Sequence, residues 1–114
     1  MKEEKQNLYE GMYIISSRLS DDAKKKALEK IKSGITGRGG VIEKEFDWGR
    51  RRLAYEIEGN RDGHYFVIYF TVRPSAIGEM WKEYHLNEDL VRFFTMRTDN
   101  ILEKLEFKSL EEVQ

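Results

Sequence analysis

Leu8–Ser16 (LYEGMYIIS) is rich in aromatic and β-branched side chains, which predicts a strand. Extended chain puts Tyr9, Gly11, Tyr13 and Ile15 on one side and Leu8, Glu10, Met12 and Ile14 on the other. Both sides carry apolar groups, which predicts a central strand rather than an edge. The period then lengthens. Ser20-Asp21-Asp22 is a helix start, since these side chains accept hydrogen bonds from the first free N–H groups. Ala23, Ala27, Leu28, Ile31 and Ile35 follow at helical spacing, with Lys24, Lys25, Lys26, Glu29, Lys30 and Lys32 opposite. The lysines are expected towards the negative end of that helix. Gly37-Arg38-Gly39-Gly40 stops it.

Val41–Trp48 (VIEKEFDW) reads as a strand, Gly49 as a bulge or bend, and Arg52–Glu58 as its continuation, with Leu53, Tyr55 and Ile57 on one side. Gly59–Gly63 reads as a turn, and Tyr65–Val72 (YFVIYFTV) as the returning strand of a hairpin. Pro74 suits the first turn of a second helix, whose apolar face is Ile77, Met80, Trp81 and Tyr84. Asn87-Glu88-Asp89 ends it, and Leu90–Arg97 (LVRFFTMR) is the last strand. The order β-α-β-β-α-β with right-handed crossovers gives an α+β, ferredoxin-like sandwich: a four-stranded antiparallel sheet with two helices on one face. The other sheet face stays uncovered. It holds Met12, Ile14, one of Tyr65 and Phe66, and one of Phe93 and Phe94, depending on register. An uncovered apolar face marks a binding surface.

A chain of 114 residues is one domain's worth. A single domain over residues 1–98 is expected, followed by an acidic tail over 99–114, disordered or ordered by a partner. The chain has no cysteine and two histidines. That excludes a disulfide scaffold, a thiol nucleophile and a Cys-type zinc site. No metal and no cofactor are expected. Residues 1–7 (MKEEKQN) do not read as a signal peptide, and the longest apolar run is far shorter than the ~20 residues of a membrane span. A soluble, cytoplasmic chain without membrane contact is expected. Net charge is −1, but it is unevenly placed. Residues 1–97 carry 18 basic against 16 acidic side chains, and residues 98–114 carry 2 against 5. The body is mildly basic behind an acidic tail.

Candidate chemistry points to binding rather than catalysis. No nucleophile, base and orienting group can be assembled around His64 or His85. Gly37–Gly40 follows a helix instead of opening one, so it is not a phosphate-cradling loop. No catalytic residue and no small-molecule substrate are expected. The informative stretch is Trp48-Gly49-Arg50-Arg51-Arg52-Leu53-Ala54-Tyr55. Three adjacent arginines cannot all be buried, because unpaired buried charge is costly. Guanidinium forks suit phosphate oxygens, and Trp48 and Tyr55 can stack on bases or join the core. Arg92 and Arg97 on the last strand and Lys44 upstream extend the basic set. A solvated face paired with Glu43, Glu45 and Asp47 is the competing reading.

These residues also carry a resemblance. Leu8-Tyr9-Glu10, Asp47–Tyr55 and Leu90-Val91-Arg92 with Met96-Arg97-Thr98 resemble the bacterial small-subunit ribosomal protein S-six family, in order, over residues 8–98. The resemblance implies the ferredoxin-like fold, no enzymatic activity, and a ribosome-associated, cytoplasmic protein. It also implies binding to the central domain of 16S ribosomal RNA together with ribosomal protein S-eighteen. Arg50, Arg51, Arg52, Arg92 and Arg97, with Lys44 and Trp48, are then the RNA-contacting candidates. Met12, Ile14 and Phe94 are the candidates for the partner protein. Glu56 stands where the family often has proline. Asp62–Tyr69 (DGHYFVIY) half-matches the strand signature of RNA-recognition motifs, so a module that stacks single-stranded RNA on its sheet is the alternative.

Overall fold

The fold is taken from a computed structural model, which describes residues 5–57 and 59–101. The elements are β1 (Asn7–Ser16), α1 (Asp21–Thr36), β2 (Val41–Ile57), β3 (Asn60–Val72), α2 (Pro74–Leu86) and β4 (Leu90–Arg97). They form one four-stranded sheet in the order β2-β3-β1-β4. β1 is central, antiparallel to both β3 and β4, and β3 is antiparallel to β2. This is the ferredoxin-like sandwich expected from the sequence.

Register decides which residues meet the helices. Tyr13 lies opposite Phe66 and Phe93, and Tyr9 opposite Phe70. These positions join Ile15, Ile68 and Val72 of the sheet with Ala27, Leu28, Ile31 and Ile35 of α1 and Ala76, Met80 and Tyr84 of α2 in the main core. Tyr9 and Phe70 stack at 5.8 Å between ring centres. The hydroxyls of Tyr13 and Tyr84 meet at 3.2 Å inside this core. Burial raises the Tyr84 pKa to about 12 and pushes Tyr13 well above the ordinary tyrosine range, so both stay protonated.

Tyr13 reaches its place by lying over Gly11, two residues back on the same side of the strand. A methyl at Gly11 would meet Tyr13 ring carbons at 2.8 Å. The Gly11→Ala variant is expected to lose about 1–3 kcal/mol, because overpacking a rigid core forces side chains off their rotamers. A urea melt measures this, and a wild-type midpoint would show that the ring moves aside freely.

The helices begin as their sequences dictate. The Ser20 hydroxyl accepts a hydrogen bond from the Ala23 amide at 3.1 Å, and Pro74 occupies the start of α2. Gly39 supplies a positive φ of 79° after α1. Two details differ from expectation. Lys24, Lys25 and Lys26 lie in the first turns of α1, and its last turn has no basic residue. Trp81 is 41% exposed instead of buried, because Met80 and Tyr84 fill the face of α2 that meets the sheet. Ion pairs fix the helix layer at its rim: Lys32 to Glu45 of β2 at 2.9 Å, and Arg38 to Glu83 of α2 at 2.6 Å.

Candidate nucleic-acid and protein interface

The arginines sit where β2 changes character. The bulge expected at Gly49 is present, and β2 continues through it from Val41 to Ile57. Asp47 pairs with Phe66 and Gly49 with Tyr65, so Trp48 is an extra residue and the strand bulges there. Gly49 takes a φ of +72°, which side chains rarely adopt, and the Asp47 carboxylate accepts its amide at 2.8 Å. The bulge sharpens the strand's twist just before Arg50, Arg51 and Arg52, and all three are exposed.

They are not equivalent. The Arg50 guanidinium donates to Asp62 at 2.7 Å. Asp62 also accepts from the Ser17 hydroxyl. The Arg51 Nε donates to the Trp48 carbonyl at 3.1 Å, which ties this exposed residue back to the bulge. Beside Arg50, His64 meets Asp47 at 2.6 Å and stacks on Phe66 at 4.5 Å. His64 thus links the hairpin to the core. His85 packs edge-on against Phe93 at 4.9 Å.

The Ser17 hydroxyl first, and Arg50 second, hold the Asp62 carboxyl below the usual carboxylate range. A folded-state pKa below the unfolded one gives stability that is complete above the unfolded value and lost as pH falls through the folded value. Wild-type protein is therefore expected to lose stability as pH falls below about 4, with an acid-sensitive part that Asp62→Asn lacks. Chemical denaturation from pH 7 to pH 2 measures it. Parallel profiles for the two proteins would remove Asp62 from the account.

Other basic candidates lie elsewhere. Lys44 pairs with Tyr69 and so belongs to the open sheet face, its ammonium 5.0 Å from the Phe46 ring centre. Arg92 pairs with Ile14, also on the open face, and lies 5.9 Å from the Tyr55 ring. Arg97 pairs with Tyr9 and so projects from the helix side at the end of β4. Trp48 is half-buried in a cluster with Ile14, Leu53 and Tyr65. The set therefore divides into a hairpin group, an open-face group and Arg97.

Sequence reasoning passed over two arginines of the hairpin group. Arg61, expected in a turn, is an exposed residue of β3, which begins at Asn60. Arg18 donates to the Gly59 carbonyl and comes to the same end. Their signal was proximity to the hairpin's end, which needs the strand boundary to be right. The β1–α1 loop also holds that end through Ser16, whose hydroxyl donates to Asn60 Oδ1 at 2.9 Å.

The open face is half covered. Beyond Arg52, four residues of β2 stand against one of β3 before Ile57 pairs with Asn60. Within that stretch Leu53 is 3% exposed and packs with Ile14 and Tyr65, joined at the edges by Met12, Trp48, Ile57 and Val91. Ile14, a candidate for the partner surface, is 2% exposed. Phe94, the second candidate, is 52% exposed, and Met12, the third, is half-buried opposite it. Met96 is 45% exposed on the same face. Of the aromatic pairs left open by the sequence, Tyr65 and Phe94 lie on this face, and Phe66 and Phe93 lie under the helices.

Fold and surface define a ferredoxin-like binding domain with an arginine-rich hairpin and an apolar half-open sheet face. The family model described as Ribosomal protein S6 matches residues 8–97. The chain is 61% identical over all 114 residues to the small ribosomal subunit protein bS6 of Protochlamydia amoebophila, covering that protein completely. It is 59% identical over 112 residues to the protein of the same name from Chlamydia caviae, with 98% of this chain and all of that one covered. The crystal structure of the 30S ribosomal protein S6 of Thermotoga maritima superimposes with a TM-score of 0.78 at 32% identity, over 82% of this chain and 89% of that one. The chain belongs to the ribosomal protein S6 family. It is a ribosome-associated protein of the small subunit and not an enzyme.

Proposed function

We propose that this protein binds the central domain of 16S ribosomal RNA together with ribosomal protein S-eighteen. The observation that carries the reading is the placement of Arg50, Arg51 and Arg52, all exposed immediately after a bulge, at one end of a sheet whose open face still presents Phe94 and Met12. Phosphate oxygens suit the first surface, and a protein's apolar side chains suit the second. Lys44 and Arg92 border the apolar face, so on this reading they lie where RNA and partner meet. Arg97 contacts RNA from the helix side. Trp48 supports the bulge more than it offers a stacking surface. The folded unit spans 1–98, and 99–114 form an acidic tail. The tail's part beyond 101 lies outside the described residues.

The single-strand stacking alternative needs exposed rings on the central strands. Tyr65 and Tyr69 of β3 are each 1% exposed, which favours the ribosomal reading over it. Binding to a central-domain RNA fragment across a salt series, with and without S-eighteen, tests the proposal. Tight, salt-dependent binding that requires the partner is expected. Equal binding without the partner, or a preference for short single strands with tyrosine quenching, would overturn it.

A further inference from the structure

The end of the sheet where β1 finishes is held by one charged network that joins three segments of the chain. The Ser17 hydroxyl and the Arg50 guanidinium both donate to the Asp62 carboxylate, the second at 2.7 Å. Lys24, in the first turns of α1, acts electrostatically on the same carboxylate. In the loop after β1, Arg18 is exposed and donates to the Gly59 carbonyl. Gly59 has a φ of +81°, and a methyl there would lie 2.7 Å from the Arg18 guanidinium. The missing side chain is what lets that guanidinium close on the backbone of the hairpin. Arg61 is exposed two residues further on. Pairing sets the sides. Arg50 lies opposite His64 and Arg52 opposite Asp62, in step with Phe66 on the helix side. Arg51 lies opposite Gly63, in step with Arg61 and with Tyr65 of the open face.

We propose that Arg18, Lys24 and Arg61 bind the phosphate backbone of the RNA together with Arg50, Arg51 and Arg52, so that the RNA crosses the end of the sheet from the start of α1 to the hairpin. This rests on the RNA-binding reading and adds the loop after β1 and the first turns of α1 to its surface. Charge is concentrated there. Over residues 16–26 and 50–62, basic side chains outnumber acidic ones by 8 to 5, whereas the rest of the chain, from totals of 20 and 21, carries 12 against 16. The acidic residues of these segments are Asp21, Asp22, Glu56, Glu58 and Asp62, and Asp62 is already shared between Ser17 and Arg50. A guanidinium has five N–H donors, so Arg18 holds the Gly59 carbonyl with one and offers others to a phosphate. Its contact with the hairpin also fixes the side chain before binding, which reduces the ordering entropy lost when a phosphate arrives.

The test is the salt dependence of binding to a central-domain fragment of 16S ribosomal RNA with S-eighteen present. Replacing Arg18, Lys24 and Arg61 together by alanine is expected to lower the slope of log K against log salt by roughly 2–3, at about 0.7–0.9 per lost phosphate contact. Lys30→Ala removes one charge from the exposed side of α1, within electrostatic reach of Glu83, and is expected to keep the wild-type slope. An Arg18 that only braced Gly59 would weaken binding at every salt concentration and leave the slope alone. The Lys24→Ala, Arg61→Ala double variant keeps that brace and is still expected to lower the slope by roughly 1–2. Melts followed by circular dichroism establish that each variant is folded. A wild-type slope in both multiple variants would overturn the proposal and leave RNA binding by the protein intact. An equal drop in Lys30→Ala would also overturn it, since a diffuse field and not contacts would then be at work. So would loss of S-eighteen binding in the absence of RNA, which would assign this surface to the protein partner. Wild-type protein that binds without salt dependence would overturn the RNA-binding reading as well.

Discussion

Replacing Arg50, Arg51 and Arg52 together by alanine is expected to flatten the salt dependence of RNA binding. If each arginine gives up one phosphate contact, the slope of log K against log salt falls by roughly 2–3, at about 0.7–0.9 per contact. The structure ranks the single replacements. Arg50 is already paired with Asp62 at 2.7 Å, and Asp62 is held by Ser17. A phosphate must compete with that carboxylate, so Arg50→Ala is expected to change the slope least. Arg51 and Arg52 are both exposed. The triple variant keeps its fold, because exposed side chains away from caps and cores contribute within about 0.5 kcal/mol and a surface ion pair within about 1 kcal/mol. Titrations of a central-domain RNA fragment with the partner present, at several salt concentrations, give the slope. An unchanged slope would take the hairpin arginines out of the RNA surface.

The largest expected effect on stability is at Phe70. Its side chain is fully buried, stacks on Tyr9, and lies opposite Ile42 and Tyr9 in the sheet. Removing most of a buried aromatic ring leaves a cavity that close packing cannot refill, so Phe70→Ala is expected to lose about 3–5 kcal/mol. That is a large part of the 5–15 kcal/mol typical of a domain, and it lowers the melting temperature by more than about 10 °C. Urea unfolding with an unchanged m value measures it. A loss under about 1 kcal/mol would mean that the centre of the sheet does not pack as described. The two variants complement each other. The triple arginine variant weakens binding with little effect on stability, and Phe70→Ala does the reverse.

Much of the fold was legible because its signals are local. Leu8–Ser16 is rich in aromatic and β-branched residues and carries apolar groups on both sides, which only a central strand needs, and β1 lies between β3 and β4. Ser20 and Pro74 place the helix starts to within a residue, since both act through the backbone next to them. The arginine cluster was legible for a related reason: three adjacent charges resist burial in any fold. Other features depend on partners far along the chain. Nothing near Leu53 says that it covers Ile14 and Tyr65, so Ile14 reads as surface in the sequence and is buried in the structure. Trp81 lies at a helical apolar position, yet the sheet beneath α2 is already filled by Met80 and Tyr84. Arg61 read as a turn residue because Gly59, Asn60 and Gly63 surround it, and cross-strand pairing draws it into β3 instead.

The sequence by itself determined the order of elements, the layer of helices, the family, and the need for a solvent-facing arginine cluster. These follow from periodicity, capping and the desolvation of charge, all of which act over a few residues. Tertiary structure alone decided which face of the sheet each side chain takes and which basic residues share a surface. A shift of one residue in strand register reverses the faces, and register is set by pairing between distant segments. That pairing puts Arg92 and Arg97 on opposite sides of β4, ties Arg50 to Asp62, and closes half of the open face under Leu53.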